Sequence, residues 1–207
     1  MAGELNILSR AQLAALSTQL VGSRNIIDWK YYDTLSIANG NTQLNFNFFQ
    51  QAPGGVVGLE TCNMDIPGQL PKYYEFVVEQ IGIRVLPSAA VTLTDFVNDQ
   101  IICLHKGILQ FFPVGGSQGR PFYQDELIAV AGGGLAGFAA AEGTTGKASL
   151  FYAQSRYYET GKLEYMPRID SNTAFSVKVS YETAPNPSAS VKMRVKLIGK
   201  LIRPNSA

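Results

Sequence analysis

Histidine, cysteine and tryptophan are scarce in this chain, whose 207 residues include one histidine, two cysteines and one tryptophan. A structural zinc site usually takes four cysteine or histidine ligands, so the single pair Cys103 and His105 does not complete one. Cys62 is far from Cys103 in the sequence, and both stand in apolar or mixed surroundings. We therefore expect two isolated buried thiols, no metal centre and no disulfide, as in a protein that folds in a reducing cytosol.

Charged residues are also few. They make up 16% of the chain, and 17 basic side chains nearly balance 16 acidic ones, which leaves a net charge of +1. A domain dedicated to nucleic acid normally has a strongly basic surface, so this balance argues against one. A surface with few charges is typical of a subunit that its neighbours cover, and it is also compatible with a compact β-protein.

Long apolar runs are missing as well. No stretch approaches the length of a membrane span, so we expect no transmembrane segment. The first residues, MAGELN, lack the basic start and apolar core of a signal peptide.

Residues 141–148, AEGTTGKA, resemble a phosphate-binding loop at first sight. That motif needs a glycine where Ala141 stands and a hydroxyl side chain where Ala148 stands. It also runs into a helix whose N-terminus faces the phosphate, whereas residues 149–153 are rich in aromatics and favour a strand. We therefore interpret 141–148 as a loop and predict no cofactor.

The carboxylates form no evident catalytic set. Asp125 and Glu126 are adjacent, so on a strand they would face opposite sides. Asp95 and Asp99 flank Phe96 in a short polar segment that could form a helical turn. Acid pairs of glycosidases are defined by their separation in space, and solvated turn residues are the default interpretation. We predict that the protein is not an enzyme and has no catalytic residues.

Residues 1–24 carry the signals of a helical arm. Ser9 is a suitable N-cap, Gln12 completes a capping box, and Gly22 is a natural C-cap. The apolar side chains of this helix are a staple residue before the cap and a stripe at helical spacing: Leu8, then Leu13, Leu16 and Leu20. A helix of about 12 residues is marginal in water by itself. We expect it to dock either on its own β-body or on a neighbouring subunit.

Residues 25–207 read as one β-domain without an internal repeat. The predicted strands cover 26–37, 43–48, 73–86, 100–112, 127–131, 149–158, 173–181 and 190–202. Asn39-Gly40 predicts a hairpin between the first two, with Leu44, Phe46 and Phe48 on one side of the second. A phase shift near Gly82 indicates a bulge or burial on both faces. About eight strands separated by turns favour an all-β fold, a jelly-roll-like β-sandwich with a short N-terminal α-helix. On the fourth strand His105 would be a core or interface residue.

Aromatic residues stand in consecutive pairs, such as Tyr31-Tyr32, Phe48-Phe49 and Phe111-Phe112. In extended chain one ring of each pair points inward and the other outward, and outward rings are favoured at protein interfaces and sugar-binding faces. Our candidate contacts between subunits are the apolar residues of the arm and four aromatics of the body: Leu8, Leu13, Leu16, Leu20, Trp29, Phe112, Phe122 and Tyr123.

The alternation Lys192, Arg194, Lys196, with Lys178 one strand earlier, is the single patch of one sign. Such a face is a candidate for an anionic partner, including a weak contact with packaged nucleic acid. The alternative is an ordinary solvent face whose lysines also discourage edge pairing, because nothing aromatic interleaves them.

Four segments resemble structural proteins of bacterial viruses: NFNFFQQAPG (45–54), ETCNMDIPGQLP (60–71), FVVEQIGI (76–83) and VKLIGKLIRP (195–204). The resemblance implies a jelly-roll capsid or virion-surface protein without catalytic residues. Its partners would be copies of itself and other virion proteins, and it would reside in the virion after assembly in the host cytoplasm. Coat, vertex and decoration proteins share such sandwiches, so the resemblance leaves the structural role open.

Two alternatives remain from the residues themselves. A carbohydrate-binding sandwich would use exposed aromatics, such as Trp29, as stacking platforms. A receptor-binding or decoration protein on the virion surface would have the same composition. A jelly-roll enzyme with a histidine-rich metal site is disfavoured by the single histidine, whereas an enzyme that relies only on Asp and Glu stays an alternative.

Overall fold

The computed structural model describes residues 6–8, 12, 24–50, 61–88, 92–114, 120–131, 138–139, 149–150 and 166–204. Apart from Leu8 and Gln12, the predicted N-terminal helix, with Leu13, Leu16 and Leu20, lies outside these residues. The 141–148 segment lies outside them too. Within the described part the chain is mostly β, as predicted.

Within the described residues, eleven strands and two helices follow one another along the chain. The strands are β1 (Asn6–Leu8), β2 (Arg24–Ile37), β3 (Asn45–Phe48), β4 (Glu75–Pro87), β5 (Gly107–Phe112), β6 (Tyr123–Glu126), β7 (Phe138–Ala139), β8 (Ser149–Leu150), β9 (Met166–Ile169), β10 (Ser176–Tyr181) and β11 (Val191–Pro204). The helices are α1 (Leu93–Leu104) between β4 and β5, and α2 (Leu127–Val130) directly after β6.

Two antiparallel sheets organise these strands. The larger sheet has the order β1-β9-β4-β11-β2, and the smaller one has the order β3-β10-β5-β6. β7 and β8 form a separate two-stranded pair. β11 is therefore an interior strand of the larger sheet, with β4 on one side and the outermost strand, β2, on the other.

One hydrophobic core receives side chains from both sheets. Phe76 and Val195 come from the larger sheet, and Phe111 and Val177 come from the smaller one. The Tyr181 hydroxyl on β10 donates to the Cys103 carbonyl oxygen at 2.6 Å and lies 3.9 Å from the Met193 sulfur on β11. Burying each large apolar side chain stabilises the fold by about 1.5–3 kcal/mol. The inward positions of the two sheets therefore face a shared interior.

A β-bulge interrupts the pairing of β4 with β11. Ile198 lies opposite Gln80 and Gly199 opposite Val78, which leaves Glu79 as the extra residue. Val77 and Val78 are both fully buried, so β4 is covered on both faces here. The predicted irregularity near Gly82 is confirmed, three residues earlier in the chain. Glycine is required at position 199 because a Cβ atom there would lie 1.9 Å from the Val77 carbonyl oxygen.

The predicted strand over 100–112 is wrong in its first half. Residues 93–104 form α1, which begins at the N-cap Thr92, whose side chain accepts a hydrogen bond from the Asp95 amide. The sequence carried this signal as Thr-x-x-Asp, which the alternation of nearby apolar residues obscured. His105 is the C-cap of the helix and is exposed, so its interpretation as a core histidine is also wrong.

The predicted strand over 127–131 is a helical turn instead. Leu127 and Val130 are both buried and stand three residues apart, a spacing that suits a helix better than a strand. The strand precedes them as β6.

The predicted hairpin at Asn39-Gly40 is wrong in its partners. The turn exists, with an Asn41 amide to Ala38 carbonyl hydrogen bond of 3.2 Å and Gly40 at φ +77°. β2, however, pairs with β11 in the larger sheet, and β3 pairs with β10 in the smaller one. The turn therefore passes the chain from one sheet to the other. Leu44, predicted on the same side as Phe46 and Phe48, is exposed directly before β3, whereas Phe46 and Phe48 are buried.

Strands β1 and β9 were not predicted. They have three and four residues, pair with each other and form one side of the larger sheet. Segments this short have too little alternation to be distinguished from loops. The remaining long strands, β2, β4, β10 and β11, lie where the polar–apolar alternation predicted them.

Candidate functional site

The outward surface of the larger sheet carries a cluster of basic side chains. On β11, Val191, Met193, Val195 and Leu197 are buried in the core, so the residues between them face away from it. Those residues include Lys192, Arg194 and Lys196, all partly exposed. The three predicted cations of β11 therefore share one face, as the alternation indicated.

The neighbouring strands add two further cations to this face. Arg84 on β4 lies directly opposite Arg194, whose other neighbour is Thr34 on β2. Lys30 on β2 lies opposite Ile198, one outward position beyond the row that contains Lys196. We call the five side chains Lys30, Arg84, Lys192, Arg194 and Lys196 the basic face. Lys30 and Arg84 were not predicted from the sequence, because only the register of β2 and β4 against β11 places them on this face.

Arg194 is held in a defined orientation on this face. Its Nε donates to the Thr34 hydroxyl at 2.9 Å, and its guanidinium carbon lies 4.8 Å from the centre of the Tyr32 ring. A guanidinium over an aromatic ring gains about 0.5–1 kcal/mol at an exposed site. An aromatic ring therefore does lie among the cations, contrary to the interpretation from sequence, because Tyr32 comes from the adjacent strand.

The electrostatic surroundings of Lys196 show that positive charge accumulates here. Burial lowers the pKa of Lys196 below its usual value, and the nearby charges of Arg84, Lys30 and Arg194 lower it further. At the end of the face the situation reverses, because a hydrogen bond from Lys200 to Asp28 raises the pKa of Lys200. Lys196 therefore lies among cations, whereas Lys200 is paired with a carboxylate.

Lys178 does not belong to this face. It lies on β10 in the smaller sheet, opposite Asn47 and Gln110. The sequence prediction that it shares a face with Lys192, Arg194 and Lys196 is wrong, because consecutive strands β10 and β11 belong to different sheets.

The outward surface of the smaller sheet is rich in amide side chains. The Gln110 Nε2 donates to the Gln124 Oε1 at 3.0 Å, and the Ser180 hydroxyl donates to the Asn45 Oδ1 at 2.9 Å. The two sheets therefore present chemically different surfaces, one with a cluster of cations and one on which amide groups surround Lys178.

The candidate contacts between subunits fall in different environments. Trp29 is 42% exposed and packs edge-on against Tyr31 at 6.3 Å between ring centres. Phe122 and Tyr123 are partly buried, and Phe112 is only 3% exposed, so the Phe112 side chain lies inside the chain. Leu8 closes β1. The prediction that one ring of each aromatic pair faces outward is wrong for the 48–49 and 111–112 pairs, in which both rings are buried.

Further large apolar side chains on the surface were not singled out from the sequence. They are Leu44, Ile66, Tyr73, Ile102 and Ile108, each between 39% and 57% exposed. They stand singly in turns, at strand ends or on α1, where no run of apolar residues marks them as surface positions.

The two cysteines and Asp99 are buried inside the fold. Cys62 and Cys103 are free and buried, and burial together with Asp99 raises the pKa of Cys103 to about 12. Asp99 accepts hydrogen bonds from the Ser188 and Ala189 amides and so ties α1 to the loop before β11. In the described residues, no group of three or more potential metal ligands comes together.

Comparison with protein-family models, with curated proteins and with solved structures found no match to the chain. No described helix is long and apolar enough to cross a membrane.

Proposed function

We propose that this chain is a jelly-roll structural subunit of a bacterial virus, a capsid or virion protein that assembles with copies of itself and performs no catalysis. The pairing of its eight main strands carries the proposal. Taken in chain order as β2, β3, β4, β5, β6, β9, β10 and β11, the first pairs with the eighth, the second with the seventh, the third with the sixth and the fourth with the fifth.

Such nested pairing arises when one long antiparallel hairpin is rolled up so that alternate strand pairs enter different sheets. The pairs β2–β11 and β4–β9 lie in the larger sheet, and β3–β10 and β5–β6 lie in the smaller one. A jelly roll is a double-sheet, eight-stranded fold of this kind, and viral capsid domains are among its common uses. Because lectin domains use it too, the fold supports the proposal without deciding the function by itself.

The surface supports a role in assembly. Charged residues make up only 16% of the chain, and the large apolar side chain of Trp29 is exposed on the surface. A specific contact between subunits buries at least about 1,000 Å², and symmetry repeats it around a closed assembly. The resemblance of four segments to bacterial-virus structural proteins points in the same direction. Assembly would take place in the host cytoplasm.

The second candidate is a carbohydrate-binding sandwich. It is favoured by the amide-rich outward surface of the smaller sheet. Side-chain amides can donate hydrogen bonds to sugar hydroxyls and accept hydrogen bonds from them. Trp29, the aromatic predicted to stack on a sugar, lies on β2 in the other sheet. Binding to a broad glycan panel would favour this candidate, and no binding would weaken it.

Electron microscopy of the purified protein tests the proposal. We expect closed particles or regular rings, and fewer of them for Trp29→Ser, because truncating a tryptophan at the centre of an interface typically costs 2 kcal/mol or more, about a thirtyfold loss of affinity. Tyr73→Ser is the matched control, since it also removes an exposed aromatic ring, at a position not predicted to form a contact. Equal effects of the two variants would remove Trp29 from the interface. A preparation without particles under any condition would contradict the proposal.

A further inference from the structure

We propose that the basic face binds nucleic acid through its phosphates, without preference for sequence. The observation that carries it is the convergence of Lys30, Arg84, Lys192, Arg194 and Lys196 from three adjacent strands onto one outward surface. The inference adds to the proposed function by naming a ligand class, and it rests on that function only for the source of the nucleic acid.

The position of β11 excludes edge protection as the explanation of its three cations. Lysines on an exposed edge strand prevent pairing with other chains. β11 is hydrogen-bonded on both sides, to β4 and to β2, so Lys192, Arg194 and Lys196 do not lie on an edge. Arg84 and Arg194 are direct cross-strand neighbours, so one phosphate can contact both side chains.

The geometry favours a repeated phosphate over an isolated carboxylate. Lys192, Arg194 and Lys196 are two residues apart, so their spacing along β11 is about 6.7 Å. A nucleic-acid strand presents its phosphates at a comparable interval and can contact several of these cations at once. Guanidinium groups such as that of Arg194 match phosphate oxygens through paired hydrogen bonds.

The charge of the basic face determines its mode of binding. Its five side chains are cations that contact the phosphate backbone, and backbone contacts carry no sequence information. The guanidinium of Arg194 over the ring of Tyr32 also offers a planar group on which a base can stack.

Fluorescence anisotropy with a labelled single-stranded oligothymidylate, and with a duplex of the same length, tests the inference over a series of salt concentrations. The variant Lys30→Gln with Lys196→Gln removes two charges from the basic face. The control, Lys72→Gln with Lys178→Gln, removes two charges from a turn and from the other sheet. Thermal unfolding of each protein checks the fold. If the double variant does not fold, Lys196→Gln is compared with Lys178→Gln.

We expect the basic-face variant to bind about tenfold more weakly and the slope of log affinity against log salt to fall by about 1.4 for single strands, whereas the control retains its affinity within about twofold. No binding at low salt, or equal losses in both variants, would overturn the inference. Preferential binding of polyglutamate or of phosphatidylserine vesicles with the same dependence on Lys196 would also overturn it. Binding does not require assembly, so a protein that assembles without binding refutes this inference alone.

Discussion

Glu75 connects two arginines at one end of the larger sheet. Its carboxylate accepts hydrogen bonds from Arg24 on β2 at 2.6 Å and from Arg168 on β9 at 2.9 Å, and Arg168 also contacts Asp170 at 2.8 Å. The Glu75 side chain is 12% exposed, whereas that of Asp28, which pairs with Lys200, is 86% exposed. The two ion pairs therefore differ mainly in their access to water.

Replacing Glu75 by Gln should destabilise the protein by about 2 kcal/mol, because two partly buried guanidinium groups lose their common negative charge and one of its two acceptor oxygens. The matched change Asp28→Asn should cost about 0.5 kcal/mol or less, since exposed pairs contribute little. Urea unfolding measures both free energies of unfolding. Equal losses would show that burial of the Glu75 network contributes nothing.

Asp33 is a buried carboxylate near the passage between the sheets. It lies on β2 and accepts hydrogen bonds from the amides of Thr34 at 2.8 Å and Phe49 at 2.5 Å. Burial raises the pKa of Asp33, and the two amide hydrogen bonds only partly oppose this. Phe49 has a positive φ of 65° directly after β3, so the carboxylate holds an unusual backbone conformation in place.

The raised pKa of Asp33 predicts a specific dependence of stability on pH. Between the unfolded pKa, about 3.9, and the higher folded pKa, the folded state binds more protons than the unfolded state. The contribution of Asp33 to the unfolding free energy is therefore present at low pH and decreases as pH rises through the folded pKa. An asparagine at position 33 cannot titrate. The free energy of unfolding of the wild type, minus that of Asp33→Asn, should therefore decrease as the pH rises through the folded pKa of Asp33. Parallel curves from urea unfolding would contradict this assignment.

At the scale of single residues, sequence alone located part of the basic face. The cations of β11 were predictable because they alternate with buried aliphatic residues in one strand. Lys30, Arg84 and the Tyr32 ring belong to the same surface only through the register of β2 and β4, which depends on pairings distant in sequence. Lys178 was misplaced for the same reason.

At the scale of elements, strands with sustained alternation, such as β10 and β11, were predictable, and α1 and α2 were not. In α1 the apolar residues Val97, Cys103 and Leu104 are buried, yet their neighbours also fit an alternating pattern over a few residues. The cap at Thr92 was the deciding signal. The Asn-Gly turn predicted a hairpin because local turn chemistry cannot indicate which sheet the next strand joins.

The bulge between β4 and β11 gives a prediction at this scale. Gly199→Ala should destabilise the protein by about 3 kcal/mol or prevent folding, because the added Cβ meets the Val77 carbonyl oxygen and backbone must shift. Gly40→Ala is the control: its φ of +77° makes alanine cost about 1 kcal/mol, but nothing lies within 4 Å of the added carbon. Thermal and urea unfolding rank the two. A smaller loss at 199 than at 40 would contradict the close approach.

At the scale of the whole molecule, the fold brings distant segments of the chain together. β2 pairs with β11 over fourteen residues, and β3 pairs with β10. Composition and strand number predicted a two-sheet β-protein because they reflect local patterns. The order of strands within each sheet could not be predicted, since it depends on pairings between distant segments, such as β2 with β11 and β3 with β10, whose residues are more than a hundred positions apart.

The most direct test of the central claim is the mass in solution. Light scattering would be measured on the full chain and on a variant lacking residues 1–22, over a range of concentration and salt. We expect discrete assemblies many times heavier than the 22.5 kDa chain, and their loss in the variant if the N-terminal arm joins subunits. A full chain that stays at 22.5 kDa under all of these conditions would contradict the proposed function.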